Sequence, residues 1–224
     1  MPTPPLVAVF TRTTGYRHDS IPGAVAALRA LGAAQGLAVT HTEDPATLGR
    51  TLRGGCAAVV FASTSGEVLD DAGRRALEQH VRTGGGFLAL HSAAVTEPDW
   101  PFYAELLGGA RFAGHPDVQT ATVTVEDRRH PATAHLPERW EWTDEWYDFT
   151  ANPRASVRVL AGVDERGYRG GSMGADHPLV WCHRVAAGRC FVTALGHEER
   201  AYRDPDFRRH LSGALAWTAG PTGR

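Results

Sequence analysis

The sequence predicts an α/β fold in which a parallel sheet is covered by helices on both faces. Three observations carry this. Four short runs rich in β-formers, "LVAVFT", "LAVTHT", "AAVVFAS" and "FLALH", follow one another up to His91. Helical spacing and helix caps fall between them, so strand and helix alternate. The chain has 224 residues, which suits one α/β unit with additions.

Leu6 to Thr11 is an apolar run and reads as a buried strand. The polar loop "RTTGYRHDS" follows. Ser20 is placed to cap a helix that starts at Ile21, with Pro22 tolerated in its first turn. Ile21, Val25, Leu28 and Leu31 recur at helical spacing, and Gly36 ends the helix. Leu37 to Thr42 reads as the second strand, and a short polar or helical link leads to the third, Ala57 to Ser63. Asp70 or Asp71 caps the next helix, with Leu77 and Val81 on its inner face. Gly84 stops it, and Phe87 to His91 is the fourth strand. Crossovers of this kind are right-handed.

After Trp100 the pattern changes. "DWPFYAELLG" predicts a short helix, and "VQTATVTVED" alternates like a half-exposed strand. "HPATAHLP" reads as a turn into a short helix, and "WEWTDEWYDF" as an aromatic strand. "SVRVLAGVD", "HPLVWCHRV" and "RCFVTALGH" are three further strands, with the Gly-rich loop "GYRGGSMGAD" among them. A closing helix after Asp204-Pro205 carries Phe207, Leu211 and Leu215. No repeat or linker marks a boundary. Residues 1–224 are therefore expected to form one domain, a parallel core with extra mixed strands in its C-terminal half.

Composition narrows the function classes. The net charge is −2, without a run of like charges. Nucleic acid is not expected as a partner, because phosphate binding needs a basic face. A membrane is not expected either: there is no cationic patch and no apolar run of spanning length. The N-terminus lacks the signature of a signal peptide, so a cytoplasmic protein is expected. No lysine occurs, which excludes Schiff-base chemistry. Cys56, Cys182 and Cys190 show no C-x-x-C spacing, so neither a disulfide framework nor a Cys-rich zinc site is expected. "GGSMG" lacks the spacing of a phosphate loop, and no nucleotide cofactor is expected.

In an open parallel sheet, ligands bind outside the carboxyl ends of the strands. Tyr16 and His18 follow the first strand, Ser63 to Ser65 the third, His91 and Ser92 the fourth, and His197 and Glu198 the last. One histidine at a strand end is more often structural than functional. Three at one rim bring the two readings level. If "WEWTDEWYDF" is one strand, Trp140, Trp142, Asp144 and Trp146 share one face, and Glu141, Thr143, Glu145 and Tyr147 the other. Aromatic rings beside carboxylates suit a sugar, and an aromatic cluster with solvated acids is the plain alternative. His115 and His177 adjoin Gly-rich loops and are site candidates, whereas His130 reads as a turn residue. His and carboxylate groups together also suit a divalent metal such as Zn. The metal candidates are His18, His91, His115, Asp144, His177 and His197. No H-x-H or H-E-x-x-H pair is present, so a site would have to be assembled from distant segments.

"VFTRTTGYRHDSIP", "GGGFLALHSAA", "TDEWYDF", "GGSMGADHPLVWCH" and "TALGHEERAY" together resemble the ThuA-like, or trehalose utilisation, family. The resemblance runs from about Leu6 to Trp217. It implies a flavodoxin-like, three-layer parallel sheet of the class I glutamine amidotransferase-like superfamily. The amidotransferases of that superfamily carry a Cys nucleophile on a tight turn after a strand. Here that turn holds His91-Ser92, so cysteine-dependent glutamine hydrolysis is not expected. Ser92 with His197 as base is the residual amidotransferase reading. The positions matching the motifs are His18, His91, His115, Asp144, Glu145, His177 and His197.

The expectation from residues and resemblance together is an enzyme of carbohydrate utilisation. Its substrate would be trehalose or a related, including oxidised, disaccharide or glycoside. The reaction would be hydrolysis, elimination or isomerisation. His91, His197, Asp144 and Glu145 are the catalytic candidates. Tyr16, His18, Ser92, His115, Trp146, Tyr147 and His177 are the substrate-binding candidates, with Trp146 and Tyr147 as a stacking wall. A non-catalytic sugar-binding or assembly module is the alternative. Homo-oligomerisation is left open.

Overall fold

Apolar runs long enough for a strand, but too short for a helix, become the centre of the sheet. The computed structural model describes residues 3–220; residues 1–2 and 221–224 of the expected domain lie outside the described residues. In chain order the elements are β1 (Leu6–Phe10), α1 (Ile21–Ala34), β2 (Ala38–Thr42), α2 (Pro45–Arg53), β3 (Ala58–Ala62), α3 (Asp71–Arg82), β4 (Gly86–Leu90), α4 (Pro101–Leu106), β5 (Phe112–Gly114), β6 (Gln119–Val125), β7 (Arg139–Asp144), β8 (Asp148–Phe149), β9 (Arg158–Val163), β10 (His177–Val185), β11 (Gly188–Thr193) and α5 (Pro205–Ala219).

Nine strands form one sheet in the order β2-β1-β3-β4-β11-β10-β9-β6-β7. The half from β2 to β11 is parallel. The half from β10 to β7 is antiparallel. β5 and β8 pair separately. Every residue of β3 and β4 is buried, as both-face coverage requires. α1 packs on α5, and α2 on α3, as the two helical layers. This is the α/β fold predicted from the sequence, with the mixed strands in the C-terminal half.

Three local expectations are corrected, and the link after β2, left open between polar and helical, is decided. Ser20 stands at the start of α1 but makes no capping hydrogen bond. Its backbone is already helical, which turns the hydroxyl away from the orphan N–H groups. The link after β2 is a nine-residue helix, because the Asp44 carboxylate caps Ala46 N and Thr47 N and Pro45 opens the first turn. "HPATAHLP" stays a turn, closed by Thr133 N and Ala134 N donating to His130 O. "WEWTDEWYDF" is not one strand: β7 ends at Asp144, and β8 resumes only at Asp148. Glu145, Trp146 and Tyr147 between them escape strict alternation.

The break has a cause. Asp144 accepts backbone N–H groups from the loop after β11. Four strand spacings separate β7 from β11 in the sheet order, or about 19 Å if the sheet were flat. The antiparallel half therefore curls over, carrying the end of β7 back to the carboxyl rim of the parallel half.

Candidate functional site

The rim of the parallel half collects the site. β4 and β11 run parallel in register, with Leu90 beside Thr193, so the residues after them leave at the same edge. β4 delivers His91, β11 delivers His197, and the loop after β1 delivers His18. The end of β7 adds Glu145. One ligating atom of each of these four lies within 4.8 Å of the other three.

His91 is the buried centre of the group, 1% exposed. Its φ of +53° is a left-handed conformation that costs a non-glycine residue about 1 kcal/mol or more. Such strain at the mouth of a strand aims the ring rather than continuing the sheet. Nδ1 lies 2.9 Å from the carbonyl of Ala194. A carbonyl only accepts, so Nδ1 carries a proton, and in the neutral ring Nε2 presents a lone pair. That lone pair faces His18 Nε2 at 3.1 Å, Tyr147 Oη at 3.1 Å, His197 Nδ1 at 3.3 Å and Glu145 Oε2 at 3.6 Å.

Glu145 Oε2 is 3.1 Å from His197 Nδ1 and 4.0 Å from His18 Nε2, and Oε1 is 3.6 Å from His115 Nδ1. Burial works against its charge, but the contacts with His18, His197 and His91 outweigh it. The carboxyl is held well below its ordinary range and stays ionised. Its hydrogen bond raises the pKa of His197 in turn. Burial lowers that of His18, which is neutral more readily than a free imidazole. Burial and the nearby carboxylates push the Tyr147 phenol up, so it remains an O–H donor.

The other predicted residues fall into distinct places. Ser92 Oγ meets His18 Nδ1 at 3.2 Å, not His197. Tyr16, 69% exposed, stands edge-on to His18. His115 is partly exposed at the mouth. Tyr147 packs its ring on His91 with centroids 4.7 Å apart. Trp146 is fully buried and packs against Tyr168, away from the four-residue cluster. Asp144 sends no carboxylate oxygen to the histidine rings. It accepts N–H groups from Trp142 Nε1 (2.8 Å), Gly196 N (2.7 Å), Glu145 N (3.0 Å) and His197 N (3.0 Å).

His177 belongs to a second group with Asp148 and Glu165. Its Nε2 lies 2.8 Å from Tyr147 O, and its Nδ1 lies 3.0 Å from Glu165 Oε1. Glu165 also accepts the N–H groups of Met173 and Gly174, so this group pins the Gly-rich loop behind Tyr147. Asp148 and Glu165 were not singled out from the sequence. Their spacing to His177 matches no ligand motif, and the Tyr168 hydroxyl, which donates to Glu165 and meets His177 Nδ1 at 3.1 Å, joins the last two only in the folded chain.

No curated protein matches the sequence. Two solved structures described as ThuA-like are similar over most of their length. The one from Bacteroides uniformis ATCC 8492 is 23% identical, covers 97% of this chain and 93% of that one, and superposes with a TM-score of 0.79. The one from Parabacteroides merdae ATCC 43184 is 19% identical, covers 96% and 90%, and has a TM-score of 0.76. A β-galactosidase from Rahnella sp. R3 is 17% identical and has a TM-score of 0.58 over 93% of this chain, which spans only 31% of that one. These likenesses establish a shared fold. The family described as trehalose utilisation, ThuA, matches residues 6–218, nearly the whole chain. On that match, the chain belongs to the ThuA family.

Proposed function

We propose that this protein is an enzyme of carbohydrate utilisation, acting on trehalose or a related disaccharide or glycoside, oxidised (keto) forms included. The observation that carries the reading is the meeting of His18, His91, His197 and Glu145 at the rim where parallel sheets bind ligands. The group joins an ionised carboxylate, an imidazole lone pair and a phenol donor. Together these can polarise a sugar oxygen and shift a proton at the adjoining carbon or hydroxyl. Hydrolysis, elimination and isomerisation of a sugar all need those two acts.

The cluster reaches solvent at one side. His197 and His115 are partly exposed at the mouth, and His91 is buried beneath them. The exposed ring of Tyr16 offers a surface for the apolar face of a sugar. Family membership supplies the carbohydrate context. The proposed compartment is the cytoplasm, in keeping with three free cysteines. Among the described residues no helix is long and apolar enough to cross a membrane.

The test is turnover. Purified protein is incubated with trehalose, related disaccharides and their keto forms, and products are followed by NMR. His91→Ala should keep sugar binding and lose turnover by about 10²–10⁴-fold. Sugar binding without turnover in the wild type would instead make this a binding module. Glutaminase activity abolished by Ser92→Ala would make it an amidotransferase.

A further inference from the structure

We infer that His18, His91, His197 and Glu145 form a binding site for one divalent first-row transition-metal ion, with Zn²⁺ the best match in size and geometry. The inference rests on the reading of this cluster as the reactive site, and says what holds a sugar oxygen there.

Zinc binds imidazole nitrogen and carboxylate oxygen at about 2.0–2.2 Å, which sets tetrahedral ligand atoms about 3.3–3.6 Å apart. Here the separations are 3.1 Å between His18 Nε2 and His91 Nε2, and 3.3 Å between His91 Nε2 and His197 Nδ1. Glu145 Oε2 lies 3.1 Å from His197 Nδ1, 3.6 Å from His91 Nε2 and 4.0 Å from His18 Nε2. Four donors on four separate segments are thus already spaced around one small ion.

The Ala194 carbonyl holds a proton on His91 Nδ1, so Nε2 is the ring atom free to ligate. Two ring nitrogens and a carboxylate oxygen approach that atom within 3.6 Å. The Tyr147 hydroxyl, at 3.1 Å, can satisfy the lone pair once. His18 Nε2, His197 Nδ1 and Glu145 Oε2 are thus gathered about this one atom, as the ligands of a common ion are.

A metal-bound histidine ordinarily engages its other ring nitrogen with a carbonyl, carboxylate or water. His91 does so with Ala194 O, and His18 Nδ1 does so with Ser92 Oγ. Asp144 fixes the backbone of both Glu145 and His197, the ligands from the two other segments. Three imidazoles and one carboxylate suit zinc among divalent ions. An ion there would act as a Lewis acid on a sugar hydroxyl or carbonyl oxygen.

The test measures metal binding without sugar. Chelator-stripped protein is titrated with Zn²⁺ by calorimetry, and with Co²⁺ by visible absorption. One equivalent should bind per chain. His91→Ala and Glu145→Gln should each weaken binding by about 100-fold or more, and Ser92→Ala by about 10-fold. Glu165→Gln, in the second group, should leave it unchanged. If His91→Ala does not fold, as judged by circular dichroism and thermal melting, His197→Ala carries the same test from a less buried position. Absence of one-equivalent binding in the wild type overturns the inference, as does binding that survives His91→Ala but is lost in Glu165→Gln. Stoichiometric binding at these residues without turnover of any sugar would leave the site standing and defeat the proposed function. Turnover by metal-free protein that takes up no Zn²⁺ would do the reverse.

Discussion

Asp144 and His197 are 53 positions apart in the chain, yet Asp144 Oδ1 accepts the backbone N–H of His197 at 3.0 Å. The same carboxylate holds Gly196 N, Glu145 N and Trp142 Nε1. It thereby ties the curled end of β7 to the loop after β11 and sets two members of the cluster at once.

Asp144→Asn tests that tie. An amide keeps the shape but turns an NH₂ group toward backbone donors that now lack an acceptor. Hydrogen bonds to a buried charge are worth more than neutral ones, and stranded donors carry their own penalty. Stability should fall by about 2–4 kcal/mol, read as a lower urea midpoint at unchanged slope. Turnover and metal affinity should fall by about 10–100-fold in the fraction that remains folded.

Tyr147→Phe separates the phenol hydroxyl from its ring. The ring packs on His91 and on Phe112, and phenylalanine retains those contacts. The lost hydrogen bond should cost about 1 kcal/mol of stability. Turnover should fall by about 10–100-fold with KM little changed, as expected for a donor used mainly in the transition state. A fall in kcat/KM arising wholly from KM would instead assign Tyr147 to ground-state binding.

Gly196→Ala probes the turn before His197. Gly196 has φ of +113°, and an added Cβ would stand 2.8 Å from the Tyr202 hydroxyl. That hydroxyl donates to the Gly196 carbonyl at 2.9 Å, so it cannot withdraw freely. Destabilisation of about 2 kcal/mol or more is expected from backbone strain and this clash. A melting temperature equal to that of the wild type would show that the turn relaxes easily.

Acid should destabilise the fold through buried histidines remote from the cluster. Burial lowers the pKa of His210 to about 4, and that of His130 likewise to about 4. Neutral His210 is fully engaged, with Ala132 O at 2.9 Å and Thr193 Oγ1 at 3.2 Å. The unfolded ring, with an ordinary pKa near 6.5, takes up its proton first. Stability is therefore intact above about pH 6.5 and declines as pH falls toward 4, by about 3 kcal/mol for His210. His210→Gln should be less stable at pH 7 but show a shallower loss between pH 6.5 and 4. An equally steep loss in the variant would place the acid sensitivity elsewhere.

Much of the fold is legible in local chemistry. β1, β3 and β4 are short apolar runs bounded by turn residues, and Asp70 caps α3 through Gly73 N. α2 was legible only in part, because its hydrophobic residues, Leu48 and Leu52, are too few to set a period. The end of β7 was not legible. "WEWTDEWYDF" alternates well enough for a longer strand, and what stops it is the pull of Gly196 and His197 on Asp144. That contact is long-range and leaves no local trace.

The site divides in the same way. The sequence by itself determined which residues stand at strand ends, because strand boundaries follow from hydrophobic runs and glycine turns. His18, His91 and His197 are placed at one rim by that rule alone, once the last strand runs parallel. Tertiary structure decided the rest. It brought Glu145 rather than Asp144 into the histidines, put Trp146 in the core, and gave His177 to a separate group under the Gly-rich loop. The physical reason is that strand position is a local property, whereas the curl of the antiparallel half over the rim depends on contacts between residues far apart in the chain.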